Sequence, residues 1–136
     1  MKKALCGLLL GVWAFADVII SPSSLPDYIQ TFIGTHFQAG VGLAQMDNRH
    51  YEIYLTDGTE LEFDFSGEWR EIESRLTPLS FDILPANVAA IVRAQFPGAF
   101  IVELKRKFHY YKIKLSSQME LKIDPNGTVL SVEIDD

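Results

Sequence analysis

Apolar residues between positions 25 and 37 return every three or four places, at Leu25, Ile29, Phe32, Ile33 and Phe37. That spacing predicts an amphipathic helix with one buried stripe. Ser24 or Asp27 stands near its cap, Pro26 lies in or beside the first turn, and Gly40 and Gly42 end it. Leu84-Pro85 with Val88, Ile91, Val92 and Phe96 repeats the pattern 59 positions later, and Pro97-Gly98 ends that copy. After each helix the period drops to two. Tyr51, Ile53 and Leu55 alternate with His50, Glu52 and Tyr54, and Leu61, Phe63 and Phe65 alternate with Glu60, Glu62 and Asp64. Such alternation predicts strands with one apolar and one polar face, joined at Asp57-Gly58 by a tight hairpin.

The strand segment also returns. Tyr51, Ile53, Leu55, Glu60, Leu61, Phe63, Asp64 and Gly67 reappear as Tyr111, Ile113, Leu115, Glu120, Leu121, Ile123, Asp124 and Gly127, displaced by 60. One residue has therefore been gained in the loop or strand after the second helix. Further strands are expected over residues 41–47 and 99–107, ahead of each trio, and residues 76–83 join the two units. The prediction is an α+β domain at residues 17–136, made of two repeats at 25–74 and 84–135. Each repeat is a helix followed by four antiparallel strands, giving one sheet of about eight strands with both helices on one face.

Lys2-Lys3, the apolar stretch to Val12 and the small residues of Ala14-Phe15-Ala16 have the form of a signal peptide, residues 1–16. This predicts export to the periplasm or beyond, with no stable membrane span after cleavage. Cys6 falls within that segment, so the mature chain lacks cysteine and with it any disulfide or thiolate site. A mature chain of about 120 residues buries roughly 65% of its unfolded surface, enough for a core that needs no staple.

Loss of Lys2 and Lys3 leaves ten Lys and Arg against eighteen Asp and Glu, a net charge of −8. An acidic surface repels phosphate backbones and argues against a nucleic-acid partner. The charge is also divided. Carboxylates crowd residues 60–73, whereas Lys105, Arg106, Lys107, Lys112, Lys114 and Lys122 gather in the second repeat.

Catalytic and metal chemistry find little footing. His36, His50 and His109 are the only histidines, and neither His-x-x-x-His nor His-Glu-x-x-His occurs, so no metal site is predicted. No serine lies in a Gly-x-Ser-x-Gly elbow. The row Glu60, Glu62, Asp64 reads as a solvated strand face, and Asp124-Pro125-Asn126-Gly127 as a turn lacking the later Glu of a calcium loop. No cofactor is expected.

The segments at residues 51–55, 57–64 and 67–72, with the Leu-Pro helix before them, resemble the PepSY-like family of small exported bacterial proteins. The second copy departs from that pattern at Val129, where the first has Trp69, and at Ser117-Gln118, where the first has Asp57-Gly58. The resemblance implies a fold like that of β-lactamase inhibitor protein, an envelope location and a role in binding or restraining another protein. It implies no catalytic residues.

Strict alternation from Leu61, Phe63 and Ile72 sends Tyr54 and Trp69 to the polar face, among Glu52, Glu62, Glu71 and Glu73. Large aromatics on a wet sheet face suit interface anchors. The expected function is therefore a non-enzymatic binding module for a protein or peptide, with Tyr54 and Trp69 as anchors and the four glutamates selecting the partner. A slip of one residue in register sends Trp69 into the core instead. The alternative is a small-ligand or envelope-stress protein with a cleft between the repeats.

Overall fold

The computed structural model of the protein describes residues 17–134, and the expected signal peptide lies outside them. The described chain runs β1 (Val18–Ile20), α1 (Asp27–His36), β2 (Val41–Met46), β3 (His50–Leu55), β4 (Glu60–Asp64) and β5 (Trp69–Glu73). It continues as α2 (Ala86–Gln95), β6 (Ile101–Arg106), β7 (Tyr111–Leu115), β8 (Met119–Ile123) and β9 (Val129–Ile134). Short 3-10 turns at Pro22–Ser24 and Phe81–Ile83 precede the two helices. All nine strands form one antiparallel sheet in simple sequence order. The expected count of about eight is corrected to nine by β1, which pairs Val18 with Met46 and Ile20 with Ala44. Three residues sufficed to add a strand, too few for their period to be read.

The helices enter as Leu-Pro dictates. Pro26 and Pro85 occupy the N-cap positions, neither makes a side-chain cap, and each helix ends on a phenylalanine, Phe37 or Phe96, in non-helical backbone. The offset between matching residues passes from 59 to 60 in the loop before β6. Gly40 and Phe100 already hold matching roles there, accepting bonds from Thr56 N and Ser116 N.

Both stripes lie on the sheet. Ile29 and Ile33 of α1, and Val88, Ala89 and Val92 of α2, are buried with Ile53, Leu61, Phe63, Ile72, Leu104, Ile113, Leu121 and Ile123. Phe32 meets Phe63 edge-on with ring centroids 5.2 Å apart. Full burial of each of these Ile, Leu and Val side chains, and of Phe63, contributes about 1.5–3 kcal/mol. The core does not break between the halves. Ile72 of β5 pairs with Leu104 of β6, and both are fully buried.

Four irregularities set what faces where. The β2–β3 ladder skips Gly42 and the β6–β7 ladder skips Val102; β4–β5 skips Arg70 and β8–β9 skips Leu130. A bulge adds one unpaired residue and resets the alternation beyond it. Arg70 is that residue in β5, so Trp69 pairs with Phe63 and enters the core, 3% exposed. The expected open-face position of Trp69 is thereby overturned.

Candidate functional site: the open face of the sheet

The helices cover one face, and the other carries two long rows of side chains joined by cross-strand pairing. The first row reads Gln45, Glu52, Glu62, Glu71, Lys105, Lys112, Lys122 and Ser131. Three carboxylates in succession meet three ammonium groups in succession, and the change of sign falls at the β5–β6 junction. The second row, Leu43, Tyr54, Glu60, Glu73, Glu103, Lys114, Glu120 and Glu133, is acidic but for its apolar start and Lys114.

This division lies between corresponding positions of the two halves. Sixty residues separate Glu52 from Lys112 and Glu62 from Lys122, and each pair holds the same place in its half of the sheet. Equivalent backbone therefore presents opposite charge.

Like charges directly opposite one another destabilise a sheet, and the acidic stretch of the first row contains two such steps, Glu52–Glu62 and Glu62–Glu71. Glu52 is 4% exposed, so the face is drier at this point than a solvated carboxylate row would be. Burial pushes the Glu62 carboxyl up; His50 pulls it back, and Glu71 and Glu52 push it further. His50 Nε2 stands 2.6 Å from Glu62 Oε2 and 3.9 Å from Glu52 Oε2. The other ring nitrogen, Nδ1, is 2.8 Å from Asp47 Oδ1. Asp47 is itself fixed by accepting from the backbone N–H groups of Arg49 (2.7 Å) and His50 (2.9 Å). Burial raises its carboxyl, but these bonds and the ring outweigh that and hold it below the usual range.

Of the residues expected to act, Tyr54, Glu52, Glu62, Glu71 and Glu73 share the open face, with Tyr54 half-buried between Leu43 and Glu60. Trp69 stands apart from them, on the other face. What sequence reasoning left out of the site is its basic half, together with His50 and Asp47. Alternation could have placed Lys112 and Lys122 on the same face as Glu62, because both stand at polar positions of well-patterned strands. Nothing local marked Asp47, which acts through a turn.

A second feature lies at one end of the sheet between the halves. A cleft of about 300 Å³ is lined by Glu68 and Arg70 on one side and by Arg106, Lys107, Tyr110 and Tyr111 on the other. Arg106 Nη1 is 3.3 Å from Glu68 Oε2, whereas its Nε is buried without a hydrogen-bond partner among the described residues.

Among the described residues, no helix is long and apolar enough to cross a membrane. Among curated proteins none matches the chain. Three solved structures of Bacteroides proteins are similar along most of its length. One is described as a "putative periplasmic protein from DUF2874 family" from Bacteroides vulgatus, at 31% identity and TM-score 0.80, covering 86% of this chain and 96% of that one. A second, a "putative calcium-regulated periplasmic protein" from Bacteroides thetaiotaomicron, has 31% identity and TM-score 0.79 over the same shares. A third, a "putative periplasmic protein of unknown function" from Bacteroides vulgatus, has 27% identity and TM-score 0.78, covering 87% and 99%. None of the three is described as an enzyme, and all share the location expected here, the periplasm or beyond it. Residues 49–131 match the family model described as "Putative beta-lactamase-inhibitor-like, PepSY-like". With that match over more than half its length, the chain belongs to the PepSY-like family.

Proposed function

We propose that the protein is a non-catalytic binding module of the cell envelope that holds a protein or peptide partner on its open sheet face. The observation that carries this reading is the divided row, Glu52, Glu62 and Glu71 against Lys105, Lys112 and Lys122. Complementary charge fixes the register and orientation of a partner and excludes wrong ones. An extended segment, basic over the first half and acidic over the second, fits the division. Tyr54, beside Leu43, supplies an apolar contact within an otherwise charged surface. We further infer that the halves are copies of one unit, because the helix returns at an offset of 59 and the bulges and turns at 60, and that the copies diverged in charge to form one asymmetric face.

Crosslinking and capture from the native envelope, with wild type beside a folded Tyr54→Ala variant, tests this reading. A partner held by the open face is lost or reduced in the variant. Equal recovery from both moves the site elsewhere.

The cleft beside Arg106 favours a second reading, a small anionic ligand held between the halves. Arg70, Lys107 and the unsatisfied Arg106 Nε supply positive charge, and Tyr110 and Tyr111 supply aromatic walls. Thermal stabilisation by a small carboxylate or phosphate that is insensitive to Tyr54→Ala, yet lost in Arg70→Ala/Lys107→Ala, would support it. Loss of the stabilisation in Tyr54→Ala would count against it.

A further inference from the structure

His50 is held in an arrangement that its place in the fold does not demand. Sixty residues on, in the second half, Asp47, His50, Glu52 and Glu62 are matched by Lys107, Tyr110, Lys112 and Lys122. The hairpin closes in both halves by the same bond, Asp47 N to His50 O in one and Lys107 N to Tyr110 O in the other. The turn and the strands therefore form without a histidine or a carboxylate at these places. The second half sets Lys122 Nζ 5.5 Å from the Tyr110 ring centre where the first half sets Glu62 against an imidazole.

The first-half group has the parts of a metal centre. Ligand-capable atoms of Asp47, His50 and Glu52 lie within 4.8 Å of one another, and Glu62 is nearer to the imidazole still. Asp47 takes the Nδ1 side of the ring and is locked by two backbone amides, which orients Nε2 toward Glu52 and Glu62. A carboxylate on the far nitrogen of a histidine is the usual support for a metal-bound imidazole, fixing its tautomer and raising its basicity.

We propose that His50 Nε2, Glu52 and Glu62 form a binding site for a divalent transition ion of the zinc class, with Asp47 as the orienting carboxylate. The site lies within the acidic stretch of the open face, and metal uptake there requires no partner. Metal–ligand distances near 2.0–2.2 Å put tetrahedral ligand atoms about 3.3 Å apart. Glu62 therefore draws back from its 2.6 Å approach and Glu52 closes from 3.9 Å, each by well under 1 Å in round figures. Glu71, the next carboxylate in the row, or water completes the shell. The imidazole distinguishes the site from a calcium site, which is built of oxygen alone.

The test is isothermal titration of the EDTA-stripped, purified protein with zinc chloride and, separately, with calcium chloride. Wild type is compared with His50→Ala, Glu62→Gln and Asp47→Asn, and with His36→Ala and His109→Ala as controls, each checked for native circular dichroism. One equivalent of zinc is expected in wild type and both controls. The heat is lost in His50→Ala and Glu62→Gln, and affinity falls about 10- to 100-fold in Asp47→Asn. Glu62→Gln retains the shape of the side chain and keeps the test valid if His50→Ala fails to fold. No zinc uptake, or uptake unchanged in both His50→Ala and Glu62→Gln, overturns the site. Calcium uptake indifferent to His50→Ala, without zinc uptake, overturns it as well. Because no partner is present, failure here leaves the open-face reading untouched.

Discussion

The Arg106 guanidinium lies over the Trp69 indole, 4.4 Å from the ring centre, and so joins the first half of the chain to the second. Tyr111 completes the stack, its ring centroid 6.0 Å from that of Trp69. Trp69 is therefore a core residue at the junction, and its substitution should act on stability before it acts on any partner. Trp69→Ala is expected to cost about 3–5 kcal/mol in urea unfolding. Arg106→Ala should cost less, since a cation over an aromatic face contributes about 0.5–2 kcal/mol. A Trp69→Ala protein of unchanged stability would contradict this placement.

The continuous core predicts that the halves unfold together. Leu104 is fully buried and pairs with Ile72 on one side and Ile113 on the other. Leu104→Ala should lower stability by about 2–5 kcal/mol and leave a single transition when fluorescence and far-ultraviolet dichroism are compared. Two separated transitions would show that each half stands alone.

The two tight hairpins, at Asp57-Gly58 and Ser117-Gln118, carry different residues at their left-handed position. Gly58 has φ +91°, and Gln118, its counterpart, is held at φ +67°, where a side chain crowds the backbone. Gln118→Gly is expected to stabilise the protein by about 1 kcal/mol, and Gly58→Ala to destabilise it by a similar amount. Chemical unfolding of the two variants provides opposite signs or refutes the argument.

Glu103 gives stability a pH dependence. Burial pushes its carboxyl up, with Lys105 pulling it back and Glu73 pushing it higher. A folded-state value above the unfolded one means that the folded chain binds more protons in that window. The contribution of Glu103 is therefore best at low pH and falls as the pH rises through the raised value. Glu103→Gln should exceed wild type in stability near about pH 7 and match it near about pH 3.5, below the ordinary carboxylate range. Lower stability at neutral pH would mean that its lysine neighbours outweigh burial.

Much of the fold could be read from periodicity. The helical stripes and alternating strands predicted the elements, and the buried sets agree with them. Two features escaped for physical reasons. β1 is only three residues long, and it takes its strand character from pairing with β2. Trp69 was misplaced because a bulge at Arg70 is a property of two strands together, invisible in the alternation of one. The site was legible in part. Glu52, Glu62, Glu71, Glu73 and Tyr54 were expected on the open face and lie there, whereas the joining of acidic and basic stretches into one row needed the pairing of β5 with β6. His50 and Asp47 depended on a turn that folds a carboxylate back onto a ring.

The sign change along the open face carries the proposed partner binding, and reversing one half of it tests that directly. Lys112→Glu/Lys122→Glu makes the first row acidic from Glu52 to Lys122 except at Lys105, while leaving the core intact. Crosslinking and capture from the native envelope, with folding of the variant verified, should recover a partner with wild type and lose it with the double variant. Recovery of the same partner in equal yield would contradict the open-face account.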